Sequence, residues 1–230
     1  SDICNEKTQS IYEESGVNIE EGNNVVKKIM SSLESTHDEN VESVRGDFGG
    51  LYNIGNYLLK NKFEEPIMVS STDGVGTKTI FILENIDREL GMKVLGQDIV
   101  NHCINDILVK GATPLMFLDY FASSSIDSDL VKSFVDGVSL ACRFAGCNLM
   151  GGETAEMPGV YQSGKIDIVG TIMGVVDKKK MINGKNNIKV GNKVYGLKSN
   201  GPHTNGFSLI NSIKNIGSGS ADGEEVLDTL

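Results

Sequence analysis

Two short apolar segments of this sequence each lead directly into a run of glycine and acidic residues, and no other feature constrains the fold as strongly. Pro66–Thr72 leads into Asp73–Lys78, and Asn148–Met150 leads into Gly151–Thr154. Because glycine allows tight turns and close backbone approach, this pattern predicts strands that end in compact loops. The chain contains 27 glycines in 230 residues, where average usage gives about 16. The excess falls largely in such motifs, so it indicates particular loops rather than a flexible chain.

Helical periodicity is clearest over residues 92–110. Apolar residues recur there every four positions and predict one buried face, formed by Leu95, Ile99, Cys103 and Ile107. The opposite face is polar, with Asp106 at its boundary, and consists of Asp98, Asn101, His102 and Asn105. Other helices are predicted over 22–34, 51–60 and 128–144, and strands over 66–72, 115–122, 166–176 and 194–197. A lysine-rich stretch over 177–189 predicts a domain boundary.

Charge and composition exclude several classes of protein. The formal net charge of −10 argues against sequence-independent nucleic-acid binding, which needs a basic surface. No window approaches about 18 consecutive apolar residues, and the N-terminal segment lacks a signal-peptide pattern, so no membrane association is expected. The cysteines form no CxxC pair and have no histidine at zinc spacing; they are Cys4, Cys103, Cys142 and Cys147. Reduced thiols in a cytoplasmic protein are expected.

The segment Asp73–Lys78 has the residue types of a phosphate-binding loop. Gly74 and Gly76 would let backbone N–H groups approach a phosphate, and Lys78 would add a positive charge. The segment is not a Walker A motif, and it lacks the third glycine of a dinucleotide fingerprint. The alternative is a tight turn with solvated polar residues.

Acidic residues from separate segments make a metal site a coherent hypothesis. Asp98 and Asp106 lie on the predicted helix over 92–110, and Glu153 follows a pair of glycines. Carboxylates suit Mg²⁺, which usually shares its coordination shell with phosphates and water, and clustered acids repel one another unless a cation is present. The alternatives are an exposed helix face and, at Gly151–Gly152, a type II or I′ turn.

Five motifs follow one another in an order that identifies a family. They are Asp73–Lys78, Asn105–Asp106, Phe117–Tyr120, Gly151–Gly159 and Gly201–Leu209. Together they closely resemble the phosphoribosylformylglycinamidine cyclo-ligase family. The segment over 12–23 is similar as well, whereas residues 44–47 stand where members usually carry a glycine-rich run. The fifth motif holds His203 in a glycine-bounded loop. A lone histidine is more often a surface or packed residue than a catalyst, but such a loop is better placed for function than a helix face would be.

The resemblance implies an α+β fold. Residues 1–180 would form an N-terminal domain whose mixed sheet and flanking helices build a shared β-barrel in a homodimer. Residues 190–230 would begin a second α/β domain, which the chain leaves incomplete. The resemblance further implies ATP and Mg²⁺ as cofactors and formylglycinamidine ribonucleotide as substrate.

The implied reaction is a ring closure in purine biosynthesis. ATP would activate the formyl amide oxygen as a phosphate ester, and the substrate's own amidine nitrogen would then attack. The products would be aminoimidazole ribonucleotide, ADP and phosphate. Two alternatives are another enzyme of the same ATP-binding superfamily and a non-catalytic, dimeric nucleotide-binding fragment.

The resemblance assigns roles to the motif residues. The catalytic residues would be His203, Lys78 and Asp106. Substrate contacts would come from His203, Thr204 and Asn205. The metal ligands would be Asp73, Asp98, Asp106 and Glu153. The residues around the nucleotide would be Asp73, Gly74, Gly76, Thr77, Lys78, Asp98, Asn101, Gly151, Gly152 and Glu153.

Overall fold

A mixed four-stranded sheet organises the chain in a computed structural model that describes residues 16–44, 47 and 49–217. The strands are β1 (Pro66–Gly74), β2 (Thr113–Ser123), β3 (Asn148–Glu156) and β4 (Ile166–Asp177). They lie in the order β1-β4-β2-β3; β4 runs antiparallel to β1 and β2, whereas β2 and β3 are parallel. The expected α+β architecture with a mixed sheet is therefore confirmed. Cys4, residues 12–15, 45, 46 and 218–230 lie outside the described residues.

Helices flank the sheet and supply most of the remaining structure. They are α1 (Ile19–Glu34), α2 (Ile54–Lys60), α3 (Lys78–Asn85), α4 (Arg88–Leu108), α5 (Ser128–Ala145), α6 (Gly184–Asn187) and α7 (Phe207–Gly217), with a 3₁₀ turn at Lys178–Lys180. The helix predicted over 128–144 is confirmed as α5. The Asp127 side chain accepts from the Leu130 amide at its start, and Gly146 ends it with a φ of 66°. None of the helices in the described ranges is both long and apolar enough to cross a membrane.

The core lies between the sheet and the packed pair α4 and α5. The predicted apolar face of α4 is confirmed, because Leu95, Ile99 and Cys103 are fully buried and Ile107 is 1% exposed. From the other helix, Phe134 packs its ring against Phe121 of β2, with ring centroids 5.5 Å apart. Because the apolar face of α4 packs into this core, the polar face of the helix points away from the core.

The paired glycines Gly151 and Gly152 correct one prediction, because they lie inside β3 and not in a turn after a strand. They pair in parallel register with Leu118 and Asp119 of β2, next to a register shift at Met150. The close approach explains the glycine: a methyl group on Gly152 would overlap the backbone oxygen and carboxyl of Asp119. A strand partner distant in sequence thus overrides the local turn preference.

The predicted strand over 194–197 is wrong. These residues have no regular secondary structure, and Val194 and Leu197 are fully exposed. A strand requires hydrogen bonds to a neighbouring strand, and none of the described strands pairs with this segment.

Sequence reasoning also missed α3, since Asp73–Lys78 reads as one loop. In the structure β1 continues to Gly74 and α3 already begins at Lys78. The connection is therefore only three residues long. This short connection places Lys78 in the first turn of a helix, where it is buried.

The close crossing of α4 and α5 depends on a glycine, Gly96. Gly96 faces α5 so closely that an added Cβ would overlap the Phe134 carbonyl oxygen and lie 2.8 Å from the Val138 nitrogen. We expect Gly96→Ala to destabilise the protein by about 1–3 kcal/mol, because backbone atoms on a packed helix cannot move aside. Urea denaturation measures this difference.

A matched control comes from α1, where a methyl on Gly22 would meet nothing within 4 Å. Gly22→Ala should stabilise the protein by about 0.4–1 kcal/mol through the unfolded state. If both substitutions change the free energy of unfolding alike, the close packing at Gly96 is refuted.

Candidate functional site

The polar face of α4 and the segment over 200–205 enclose a cavity of about 770 Å³, here called the α4 cavity. Its lining comprises Lys78, Asp98, Asn101, His102, Asn105, Asp106 and residues 200–205. Seven residues with predicted roles meet there: Lys78, Asp98, Asn101, Asp106, His203, Thr204 and Asn205. The structure thus brings much of the predicted site together around one cavity.

The spacing of polar residues on α4 explains how the helix supplies one wall. Asp98, Asn101, His102 and Asn105 are separated by three or four residues, so they share one face of the helix. Asp106 is held at the edge of this face, where its Oδ2 accepts a hydrogen bond of 2.6 Å from Ser71 Oγ of β1. Asparagine and aspartate are poor helix formers, and here they provide oxygen atoms that face the cavity.

Lys78 and Asp98 form an ion pair across the α4 cavity wall. The Nζ–Oδ2 distance is 2.7 Å, and the two side chains are only 9% and 21% exposed. Nζ also donates to the backbone oxygen of His203 at 2.8 Å. The Asp98 carboxylate is therefore neutralised by an ammonium group that also bonds to the His203 backbone.

Asp73 supports the cavity without lining it. Its Oδ1 accepts a hydrogen bond from the Gly74 amide at 2.7 Å, and its Oδ2 lies 2.7 Å from Nε2 of His102. The Gly74 N–H, followed by the His102 ring, lowers the pKa of Asp73 below its ordinary value. The carboxylate is thus ionised at neutral pH and orients a ring that does line the cavity.

The remaining predicted residues lie elsewhere in the described chain. Gly76 and Thr77 line a groove on the outer side of α3. Gly151, Gly152 and Glu153 line a second cavity of about 570 Å³ between β3 and α1, here called the β3 cavity.

Sheet register separates the two cavities. Asp73, Gly170, Asp119 and Gly152 stand in one row across the four strands. Three steps of about 4.8 Å place Asp73 and Gly152 roughly 14 Å apart. Glu153 is therefore not gathered with the other three predicted metal ligands, and the described residues contain no group of three or more His, Cys, Asp or Glu arranged to hold a metal ion.

Asp119 of the β3 cavity is a residue to which sequence reasoning assigned no role. Its carboxyl lies against the backbone of Gly152, and although the residue keeps some exposed surface, burial of the carboxyl raises its pKa to about 7. The sequence signals were an acid inside an apolar strand and its place in the Phe117–Tyr120 motif.

Three further residues line the α4 cavity although the sequence assigned them no role. His102 and Asn105 were predicted to lie on the polar face of the helix, and Asn200 belongs to none of the five motifs.

The oxygen atoms of the α4 cavity fit a magnesium ion bound together with phosphate. Asn101, Asn105 and Asp106 place exposed side chains with oxygen atoms on one wall, whereas the Asp98 carboxylate is already paired with Lys78. Mg²⁺ commonly takes only one or two protein carboxylates and completes its shell with phosphate oxygens and water. The donor set suits that arrangement better than an all-protein metal cage.

Comparison with known proteins adds an independent observation. Residues 60–176 match the family model described as "AIR synthase related protein, N-terminal domain". The chain is 45% identical over 209 residues to phosphoribosylformylglycinamidine cyclo-ligase of Trichlorobacter lovleyi, covering 90% of the chain and 57% of that relative. It is 46% identical over 202 residues to the protein of the same name from Geobacter metallireducens, covering 88% and 56%.

The chain spans little more than half the length of these curated relatives. Among solved structures, thiamine-monophosphate kinase from Stenotrophomonas maltophilia is similar with a TM-score of 0.48 and 16% identity, covering 69% of this chain and 43% of that one.

The raised pKa of Asp119 predicts a pH-dependent stability. The ordinary pKa is 3.8 and the folded value about 7, so the folded state holds the proton more tightly between these values. Stability therefore falls as pH rises from about 4 to 7 and then levels off. Asp119→Asn should remove this loss, raising the free energy of unfolding at pH 8 by roughly 1–3 kcal/mol more than at pH 4.5.

Urea denaturation at the two pH values measures this difference. Asp129→Asn serves as control, because its carboxylate is 72% exposed and forms an ion pair with Lys28. A gain from Asp119→Asn that is equal at pH 4.5 and pH 8 would show that the carboxyl is not desolvated.

Proposed function

The chain belongs to the AIR synthase related family, and on that premise we propose that it forms the nucleotide-binding and dimerising part of a phosphoribosylformylglycinamidine cyclo-ligase. The names of relatives about 45% identical over most of the chain support this proposal. The enzyme converts formylglycinamidine ribonucleotide to aminoimidazole ribonucleotide, with ATP giving ADP and phosphate. It is a Mg²⁺-dependent enzyme of the cytoplasm.

The observation that carries the proposal is the composition of the α4 cavity. Acids of α4 form one wall, and the segment that bears His203 forms another. Phosphoryl transfer to a substrate oxygen needs positioning and charge neutralisation more than a protein nucleophile. The cavity provides such groups, with acids on one wall and a histidine among polar side chains on the other.

Each wall has a separate task in this proposal. Asp106 would hold Mg²⁺, which neutralises phosphate charge when it is bound. Asp98 lies eight residues away, about 12 Å along the helix axis, and pairs with Lys78. His203 stands on the substrate side, with Thr204 and Asn205 beside it, and takes the proton that the attacking amidine nitrogen loses. Its Nε2 lies 3.1 Å from the Asn200 side-chain oxygen, which limits the rotation of the ring.

A homodimer belongs to the same proposal. The sheet face that turns away from α4 and α5 carries apolar side chains that are partly or largely exposed: Met68, Met116, Leu118, Tyr120 and Met173. Met68 is 51% exposed, and the other four side chains are partly exposed. A row of partly exposed apolar side chains on one sheet face favours burial against another protein. A second copy of the sheet would bury this face and bring an edge strand with Glu153 from one chain towards the other.

ATP turnover and Mg²⁺–ATP binding test the roles proposed for the two cavity walls. With Mg²⁺ present, the full protein should consume ATP only when formylglycinamidine ribonucleotide is added. Asp106→Asn should weaken Mg²⁺–ATP binding by about tenfold or more, since a neutral amide is a poorer ligand for Mg²⁺. Isothermal titration measures the affinity, and a coupled ADP assay measures turnover.

Asp129→Asn, a change of the same chemistry on an exposed carboxylate, should leave both values unchanged. Hydrolysis of ATP without the ribonucleotide would contradict the cyclo-ligase proposal. An unchanged ATP affinity in Asp106→Asn would remove Asp106 from the metal site.

The dimer has its own test. Leu118 pairs with Thr171 in the middle of the partly exposed sheet face, so Leu118→Arg should convert a dimer to a monomer in sedimentation velocity, because it buries an unpaired charge at the interface. Phe144→Arg provides the control, since Phe144 is 84% exposed on α5, on the helix side of the sheet. A monomeric parent protein would refute the dimer.

A further inference from the structure

Lys78 occupies an unusual position for a residue expected to bind phosphate. It is 7% exposed, and its ammonium group already has three neighbours. These are Oδ2 of Asp98 at 2.7 Å, the backbone oxygen of His203 at 2.8 Å and the ring of Phe207, whose centroid lies 5.2 Å away. An ammonium group has three N–H donors, so these contacts occupy much of its bonding capacity.

The contacts of Lys78 belong to a larger junction between α3 and α7. Thr77 Oγ1 lies 3.0 Å from Ser208 Oγ, and the Asn211 side chain donates to the Thr77 carbonyl at 3.0 Å. The rings of Phe81 and Phe207 meet edge to face with centroids 5.6 Å apart. The first turn of α3 is thus the surface on which α7 docks.

The His203 segment, residues 200–205, leads into α7 at this junction. Thr204 is 7% exposed and Phe207 is 6% exposed, whereas the preceding residues 190–203 are exposed. The Lys78 hydrogen bond to the His203 carbonyl thus holds the segment where it passes from solvent into the packed junction. Lys78 is also the contact that links this segment to Asp98 on the opposite wall of the α4 cavity.

We propose that Lys78 is a positioning residue, which fixes the His203 segment against α4 through its ion pair with Asp98. In this role the ammonium group sets the width of the α4 cavity and the location of the His203 ring, and it does not bind a phosphate directly. An effect of Lys78 on ATP turnover rests on the function proposed above. The positioning of the His203 segment does not, because it is a property of the nucleotide-free protein.

The histidine ring gives a direct readout. The sequence contains three histidines, His37, His102 and His203, so His203→Gln assigns the ring signals in a ¹H–¹⁵N imidazole spectrum of the full chain. Without nucleotide, Lys78→Met should shift the His203 ring signal. It should also speed amide exchange over residues 203–210 by about tenfold, the effect expected for loss of one charged hydrogen bond. Mg²⁺–ATP affinity should stay within about threefold of the parent value.

Two further variants separate this role from general support of α7. Asn211→Ala removes a bond between α7 and α3 but leaves the contacts of Lys78 in place, so it should speed exchange in α7 without moving the His203 ring signal. Lys78→Arg keeps a cation with several donors and should restore part of the shift. If Lys78→Met does not fold, Asp98→Asn disturbs the ammonium group from the other side and should move the same signal.

An unchanged His203 ring signal together with unchanged exchange over 203–210 would overturn the proposal. If ATP affinity then also fell tenfold or more, Lys78 would be a phosphate contact. Neither readout requires ATP turnover, so failure of the cyclo-ligase assay alone would count against the proposed function and not against the positioning role.

Discussion

The burial of the apolar face of α4 is the constraint on which the rest of the structure depends. Leu95, Ile99 and Cys103 are fully buried between the sheet and α5, and this burial fixes the rotation of the helix about its own axis. Because side chains three or four residues apart share a face, that rotation also fixes the direction of Asp98 and Asn101. The hydrophobic core thereby determines which oxygen atoms face the α4 cavity.

Several glycines let the strands and helices pack this closely, because they have no side chain in the way. This is as important here as the turns that glycine allows. Gly170 of β4 leaves room for the rings and side chains of Phe117 and Ile99, and Gly96 lets α5 approach α4. Gly152 makes room for the carboxyl of Asp119. In each case a neighbouring element occupies the volume that a methyl group would need, so these glycines are required by packing.

The described chain divides the predicted site between two cavities. The acids of α4 and the His203 segment meet in the α4 cavity, whereas Gly152 and Glu153 line the β3 cavity across the sheet. The row of paired residues from Asp73 to Gly152 spans the whole sheet, so no side-chain movement within one chain closes that gap. The partly exposed apolar face of the sheet suggests how a second copy could bring the two sets of residues together.

Local sequence determined those elements whose signals come from residues close in the chain. The periodicity of α4, the Asp127 cap and Gly146 end of α5, and the apolar strands all follow from neighbouring residues, as does the polar face with Asp98 and Asp106. Motif order indicated the family. Tertiary structure alone decided that Gly151 and Gly152 extend β3, that the segment over 194–197 is not a strand, and that Lys78 contacts Asp98 and the His203 segment. The contacts among these outcomes join residues 20 to more than 100 positions apart, and the segment over 194–197 lacks a strand partner. Local preferences carry no information about which distant segment will pack against a residue.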